Sequence, residues 1–221
     1  MCKYTLLLVA TDSTLQPPPN PAAEPTREGA LVLADISGYT TFVAQSELEH
    51  SQYLIGQLLE ALIAAAGDRL VASQVEGDAV FFVGGPDCRA LLACLKECYV
   101  AFHHKIRDLH ANTPCVCNAC KLAPTLTVKF IGHYGRYSSQ RVGPAQMAHG
   151  ADVIVPHRLA KNGVPSREYV LVTSQLLAQL PEGEQPLFTL REDDAGELGA
   201  LATAYVDFAP RREQLLSGEA P

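Results

Sequence analysis

The chain has 221 residues, enough for one well-buried domain and too few for two of ordinary size. Apolar residues make up 48% and charged residues 19%, which marks a globular protein rather than a disordered one. A formal net charge of −7 argues against a nucleic-acid partner, which needs a basic face to displace counterions, and no apolar run is long enough to cross a membrane.

Residues 4–10 are apolar but short and lack a suitable small-residue cleavage site, so they read as an edge strand or an irregular start rather than a signal peptide. Residues 16–28 hold five prolines and nothing aliphatic larger than Ala, which predicts a flexible lead-in over residues 1–28. A domain is expected over residues 29–210, with residues 211–221 as a tail. The continuous apolar run 30–34 ends at Asp35 and suits a central strand. Leu54, Ile55, Leu58, Leu59, Leu62 and Ile63 recur at helical spacing and predict one amphipathic helix over residues 41–66. Two β-rich runs, 70–75 and 79–83, flank Glu76-Gly77-Asp78, a hairpin signal.

A second long helix carries Leu91, Leu92, Leu95, Cys98, Tyr99, Phe102, Ile106 and Leu109 on one face. A strand over 126–133, a helix over 153–161 and a strand over 169–173 follow. The remainder to about Phe208 predicts a short helix and one or two edge strands. This order gives an α+β chain with a ferredoxin-like βαββαβ core and a C-terminal αβ extension.

Two motifs carry chemistry. In Asp35-Ile36-Ser37-Gly38-Tyr39-Thr40 a carboxylate ends a buried strand, and a small-residue turn then opens a helix. Such a turn presents backbone N–H groups to an anion while the carboxylate can hold a divalent cation; the same residues also suit a plain helix cap by Asp35. In Glu76-Gly77-Asp78-Ala79 the glycine permits a tight turn from which Asp78 projects. The hairpin strand lies beside the first strand in a ferredoxin-like sheet, so Asp35 and Asp78 are expected to converge.

Asp-Ile-Ser-Gly-Tyr-Thr at 35–40 resembles the Asp-Ile/Val-x-Gly-Phe-Thr signature of class III adenylate and guanylate cyclases. Glu-Gly-Asp-Ala at 76–79, Gly132-His133-Tyr134-Gly135 and the segment 150–159 resemble, in order, further cyclase motifs. The cysteine cluster and the segment 158–162 resemble a bacterial branch of that superfamily with a Cys-x-Cys-x-x-Cys insertion. The resemblance spans residues 29–173. It implies two Mg²⁺ or Mn²⁺ ions per active site on Asp35, Asp78 and the Ile36 backbone, with phosphate cradled by Ser37, Gly38, Tyr39 and Thr40. It also implies a head-to-tail homodimer in which Arg158 of one chain, the transition-state arginine, meets the aspartates of the other.

The departures lie at the nucleotide-reading positions. Gln74 stands where the family selects adenine with Lys or guanine with Glu, and it carries no charge. Met147 stands at the second base-reading position and Ile154 replaces the ribose-orienting asparagine, so neither offers the family's hydrogen bond. Lys161 and Arg167 are the candidates for a C-terminal phosphate contact.

Of seven cysteines, six fall in 88–120, which suits a reducing cytoplasm better than a secreted disulfide framework. Cys115, Cys117 and Cys120 match tetrahedral zinc-ligand spacing, with His110, His104 or Cys88 as the fourth ligand; free thiols or a redox-active pair are the alternatives. Cys94 and Cys98 read as small core residues, and His133 and His157 as packed histidines without a catalytic role. The expected function is a nucleotidyl cyclase converting a nucleoside triphosphate, ATP favoured, to a 3′,5′-cyclic mononucleotide and pyrophosphate. The alternative is a degenerate cyclase fold that binds nucleotide or metal and regulates a partner.

Overall fold

The computed structural model describes residues 25–112, 115–143 and 145–218; the 4–10 run and most of the proline-rich lead-in lie outside them. The first strand, β1 (Arg27–Ser37), is apolar at every position from Ala30 to Ala34, because it is covered on both faces. Ala30, Val32, Ala34 and Ile36 belong to one core with α2 (Leu48–Ala66) and α3 (Leu91–Asn112). Leu31 and Leu33 belong to a second core with α5 (Ala151–Leu159) on the opposite face. Period-two alternation therefore sends Asp35 toward the α5 face.

The hairpin β2 (Leu70–Glu76) and β3 (Ala79–Gly84) turns on Gly77 at φ 61°, and β3 pairs antiparallel with β1. On the other side of β1 runs β4 (Thr127–Val142), whose far end folds back as β5 (Ala145–His149). Parallel to β4 lies β6 (Tyr169–Thr173), then β8 (Ala200–Asp207) and β7 (Thr189–Asp194). Among the described residues the sheet order is β2-β3-β1-β4-β6-β8-β7, with β5 hung on β4. Its first four strands and their helices are the expected ferredoxin-like core.

The single helix expected over 41–66 is two: α1 (Tyr39–Gln45) and α2, separated by Ser46 and Glu47 in extended conformation. The break has a tertiary cause. The Glu47 carboxylate accepts hydrogen bonds from the Asn118 and Ala119 amides at 3.2 and 3.1 Å, capping the short helix α4 (Asn118–Leu122) between α3 and β4. Strand β1 starts two residues before 29, and within the expected tail residues 212–217 form a short helix, α6 (Arg212–Ser217), that contacts α3. Arg212 bonds Glu168 at 2.9 Å and His103 at 3.1 Å, and Glu168 also accepts from the buried Tyr99 hydroxyl. Burial, reinforced by Arg212, pushes His103 down to about 3 and keeps it neutral, free to pair with Thr127.

Two motif glycines mark close approach. At Gly135 a Cβ would fall 2.5 Å from the Asp152 side chain, so only glycine lets α5 sit against β4 there. Asp152 in turn accepts the Arg136 amide at 2.6 Å. Among the described residues no helix is long and apolar enough to cross a membrane.

Candidate functional site

Asp35 sits near the end of β1 with Ala79 of β3 as one cross-strand partner and Lys129 of β4 as the other. The Lys129 ammonium lies 3.2 Å from Asp35 Oδ2 and donates to the Ala160 carbonyl at 3.0 Å. Both side chains are about four-fifths buried, at 19% and 21% exposure, so this ion pair is shielded from bulk water.

Asp78 follows Gly77 in the β2–β3 turn, where its carbonyl accepts the Ile36 amide at 3.2 Å and fixes the turn against β1. Its carboxyl is pushed up to about 6, first by burial and then by the charge of Asp35, with Lys129 pulling the other way. Asp35, Asp78 and Lys129 line one cleft of about 370 Å³ with Ile36, Ser37, Gly38, Tyr39, Thr40 and Thr41. The structure thus brings the predicted metal and phosphate residues to one place.

Asp35 does not cap α1. The capping position is Gly38, in the left-handed region at φ 94° and without a side-chain hydrogen bond. A Cβ at Gly38 would also collide with the Arg167 guanidinium. Ser37 Oγ donates to the Arg167 carbonyl at 3.0 Å, and a neighbouring cleft of about 320 Å³ joins Gly38, Thr41 and Phe42 to Leu122, Thr125 and Arg167. Of the two phosphate candidates, Arg167 is therefore the one at the turn.

Gln74, Met147, Ile154 and Arg158 do not line the aspartate cleft. A bulge in β2 at Ser73 lets Ser73 Oγ accept the Ala148 amide at 3.0 Å, so Gln74 and Met147 each neighbour a residue of that bond and share one patch. Ile154 and Arg158 project from α5; Ile154 is 46% exposed, and the Arg158 guanidinium lies 3.6 Å from Glu197. His157 stacks on Phe81 with ring centroids 4.9 Å apart. His133 is buried, bonded to Thr173 at 2.8 Å, and held below the ordinary histidine range by that burial.

The cysteine segment assembles differently from expectation. Cys115, Cys117 and Cys120 gather with His50, and their ligand atoms lie within 4.8 Å of one another. His110, in the last turn of α3, is not in this group. His104 bonds the Leu216 carbonyl at 3.2 Å, and Cys88 is buried with its thiol toward the Pro86 carbonyl. The fourth candidate ligand is His50, because α2 begins where α4 docks. Cys94 and Cys98 are core residues with thiols toward the Ala66 and Leu62 carbonyls. The six cysteines among the described residues are free thiols.

The donor set at Asp35 and Asp78 is oxygen only, and burial, then the crowding of Asp35, raises the Asp78 carboxyl to about 6. That set fits a hard divalent cation such as Mg²⁺ or Mn²⁺, which would relieve the crowding. Two participants were missed in the sequence. Lys129 had a signal, as the sole Lys, Arg, Asp or Glu within the apolar strand 126–133. His50 had none, lying 65 residues before Cys115.

Solved structures confirm the fold. The guanylyl cyclase Cya2 superposes with a TM-score of 0.64 at 13% identity, covering 83% of this chain and 93% of that one. A bacterial light-regulated adenylyl cyclase gives 0.61 at 13% identity, covering 82% of this chain; this chain spans about half (52%) of its length. A class III adenylyl cyclase-like ATP-binding protein from Pseudomonas aeruginosa gives 0.57 at 16% identity, covering 80% and 38%. The fold is that of class III nucleotidyl cyclase domains. In sequence, "Uncharacterized protein Rv2561/Rv2562" of Mycobacterium tuberculosis is 32% identical over 157 residues, 70% of this chain and 74% of that protein. The family model described as "Protein of unknown function (DUF2652)" matches residues 55–169, more than half of the chain, which therefore belongs to that family.

Proposed function

We propose that this chain is a nucleotidyl cyclase that binds a nucleoside triphosphate, ATP favoured, and forms a 3′,5′-cyclic mononucleotide and pyrophosphate. The observation that carries the reading is the Asp35–Asp78 carboxylate pair in a cleft beside the Gly38 turn. When bound there, Mg²⁺ or Mn²⁺ would supply charge neutralisation and activation of the attacking hydroxyl. Asp35 and Asp78 hold the cations, helped by the Ile36 backbone. Ser37, Gly38, Tyr39 and Thr40 receive the phosphates, and Arg167 adds positive charge at that turn. Gln74 and Met147 face the base, and Ile154 meets the ribose without a hydrogen bond, all three across the dimer from the aspartates because they do not line that cleft within one chain.

Arg158 is turned toward Glu197 and takes no part in its own chain's aspartate cleft. This supports a head-to-tail homodimer in which Arg158 reaches the partner's site and steadies charge that develops in the transition state. The free thiols are in keeping with a reducing cytoplasm.

A second reading, a nucleotide- or metal-binding regulatory module, is favoured by Ile154 and by Lys129, whose ammonium already neutralises Asp35. Incubation with Mn²⁺ and each nucleoside triphosphate, followed by identification of products, separates the two. Cyclic product that collapses in Asp35→Ala and Asp78→Ala supports the enzyme, with Arg158→Ala lowering kcat by about 10²–10³. Metal-dependent nucleotide binding without cyclic product supports the module.

A further inference from the structure

The cluster of His50, Cys115, Cys117 and Cys120 lies outside the aspartate cleft and has ligand chemistry of its own. His50 Nδ1 is 3.0 Å from Cys117 Sγ and 3.6 Å from Cys115 Sγ, and all four ligand atoms fall within 4.8 Å of one another. Around a tetrahedral Zn²⁺ with bonds of about 2.0–2.3 Å, neighbouring N and S ligands stand about 3.5–3.8 Å apart. The observed cage brackets that spacing, so sub-ångström side-chain adjustment would close it on an ion. Three sulfurs and one imidazole nitrogen are soft and borderline donors, which select zinc over Mg²⁺ or Ca²⁺. The Cys120 amide donates to Cys117 Sγ at 3.4 Å, the kind of N–H···S contact that steadies a thiolate in a metal site. Glu47, three residues before His50, holds the start of α4 through two amides, so the cage rests on two elements fixed to each other independently of the metal.

We infer that His50, Cys115, Cys117 and Cys120 form a structural Zn²⁺ site that staples α4 to the start of α2. Deprotonation of the three thiols balances the site as one Zn²⁺, three thiolates and a neutral imidazole, with three protons released to solvent. The staple has a consequence for the neighbouring cleft. Helix α4 packs on both α1 and α2, and Leu122 at its end shares a cleft with Gly38, Phe42 and Arg167. Zinc thus supports the wall that carries the Gly38 turn from outside it. The inference stands on the cage geometry alone and does not depend on whether the cleft turns over nucleotide.

The test is metal analysis of full-length protein, purified under reducing conditions without added zinc, with Co²⁺ as a spectroscopic substitute. About one zinc per chain is expected, and Co²⁺ loading should give thiolate-to-cobalt charge transfer and tetrahedral d–d bands. His50→Ala and Cys117→Ser should lose the metal, whereas His50→Cys and His110→Ala should keep it. The His50→Cys rescue covers the case in which Cys117→Ser does not fold. Chelation of the wild type should lower Tm by about 10 °C, as expected for removal of a ligand present far above its dissociation constant. Absent zinc together with absent cobalt bands in reduced protein, retention by His50→Ala with loss in His110→Ala, or a disulfide among these thiols in freshly reduced protein would overturn the assignment.

Discussion

Lys129 gives the sharpest handle on the aspartate cleft, because it is built into the sheet and carries the charge that a bound cation would bring. Lys129→Met keeps most of the aliphatic stem and removes the ammonium 3.2 Å from Asp35. The pair is about four-fifths buried, between the exposed pairs worth about 0–1 kcal/mol and the fully buried ones whose rupture costs about 3–5. A loss of about 1–2 kcal/mol in the metal-free protein is expected, or about 5 °C in Tm for a chain of this size. Two carboxylates would then face each other uncompensated, and the Asp78 carboxyl, which Lys129 pulls down, would rise further. Mn²⁺ should bind this variant more tightly, about ten-fold or more, because a positive charge a few ångströms from the ion is gone. Thermal melts with and without Mn²⁺, and calorimetric titration of nucleotide-free protein, read both effects. A variant as stable as wild type with unchanged Mn²⁺ affinity, or one that binds Mn²⁺ more weakly, would refute the coupling of Lys129 to the carboxylate pair.

Asp78→Asn removes the like-charge repulsion and the proposed cation ligand together. The folded carboxyl of Asp78 titrates above its ordinary 3.8, so the stability it contributes is whole below that value and lost as pH rises through about 6. The variant should therefore gain on wild type between pH 4 and 7, reaching about 1 kcal/mol after discounting for solvent screening, and should lose the Mn²⁺-induced rise in Tm. A metal-free melt series across that range checks the sign; a constant offset would contradict it. Arg212→Met leaves the buried Glu168 with only the Tyr99 hydroxyl and should cost about 2 kcal/mol, seen as a lower urea midpoint. Gly135→Ala forces α5 away from β4 at Asp152 and should cost about 1–3 kcal/mol, while Gly77→Ala meets no atom within 4 Å and is strained only by its φ of 61°.

The βαββαβ core was legible because each element writes its own period: β1 as a run covered on both faces, α3 as a long amphipathic stripe, and the hairpin around a Gly at positive φ. Convergence of Asp35 and Asp78 followed from topology, since Asp35 lies near the end of β1 and pairs with Ala79, the residue after Asp78 in the hairpin turn. What could not be read was set by contacts between distant segments. The break at Ser46–Glu47 falls in a polar stretch that would equally suit the exposed face of one helix, and its cause is Glu47 capping α4 some 70 residues later. His110 was the nearer histidine in sequence, yet the chain doubles back from α3 and delivers the cysteines to His50 instead. Lys129 became meaningful only once the β1–β4 register placed it directly opposite Asp35.

The site separates into two parts with different requirements. Asp35, Asp78 and Lys129 come from three strands or turns of one sheet, so their mutual distances are fixed within a single chain. An Asn at 78 would serve the Gly77 turn equally well, without a carboxyl pushed up to about 6 by burial and by Asp35. Above about pH 6 holding that carboxyl against Asp35 stabilises nothing in the metal-free protein, and perturbation of this kind suits a group arranged for a ligand. On the proposed reading, cation binding therefore needs only the monomer. The residues proposed to bear on turnover lie elsewhere: Gln74 and Met147 on the β2–β5 patch, and Ile154 and Arg158 on α5. The exposure of Met147, Ile154 and Arg158 on one subunit fits a site completed by a second. Mn²⁺ affinity should accordingly be independent of protein concentration, whereas cyclic-product formation should rise more steeply than linearly with it until the dimer is saturated. Product formation strictly proportional to protein at concentrations where light scattering shows only monomer would break this division and place the whole reaction within one chain.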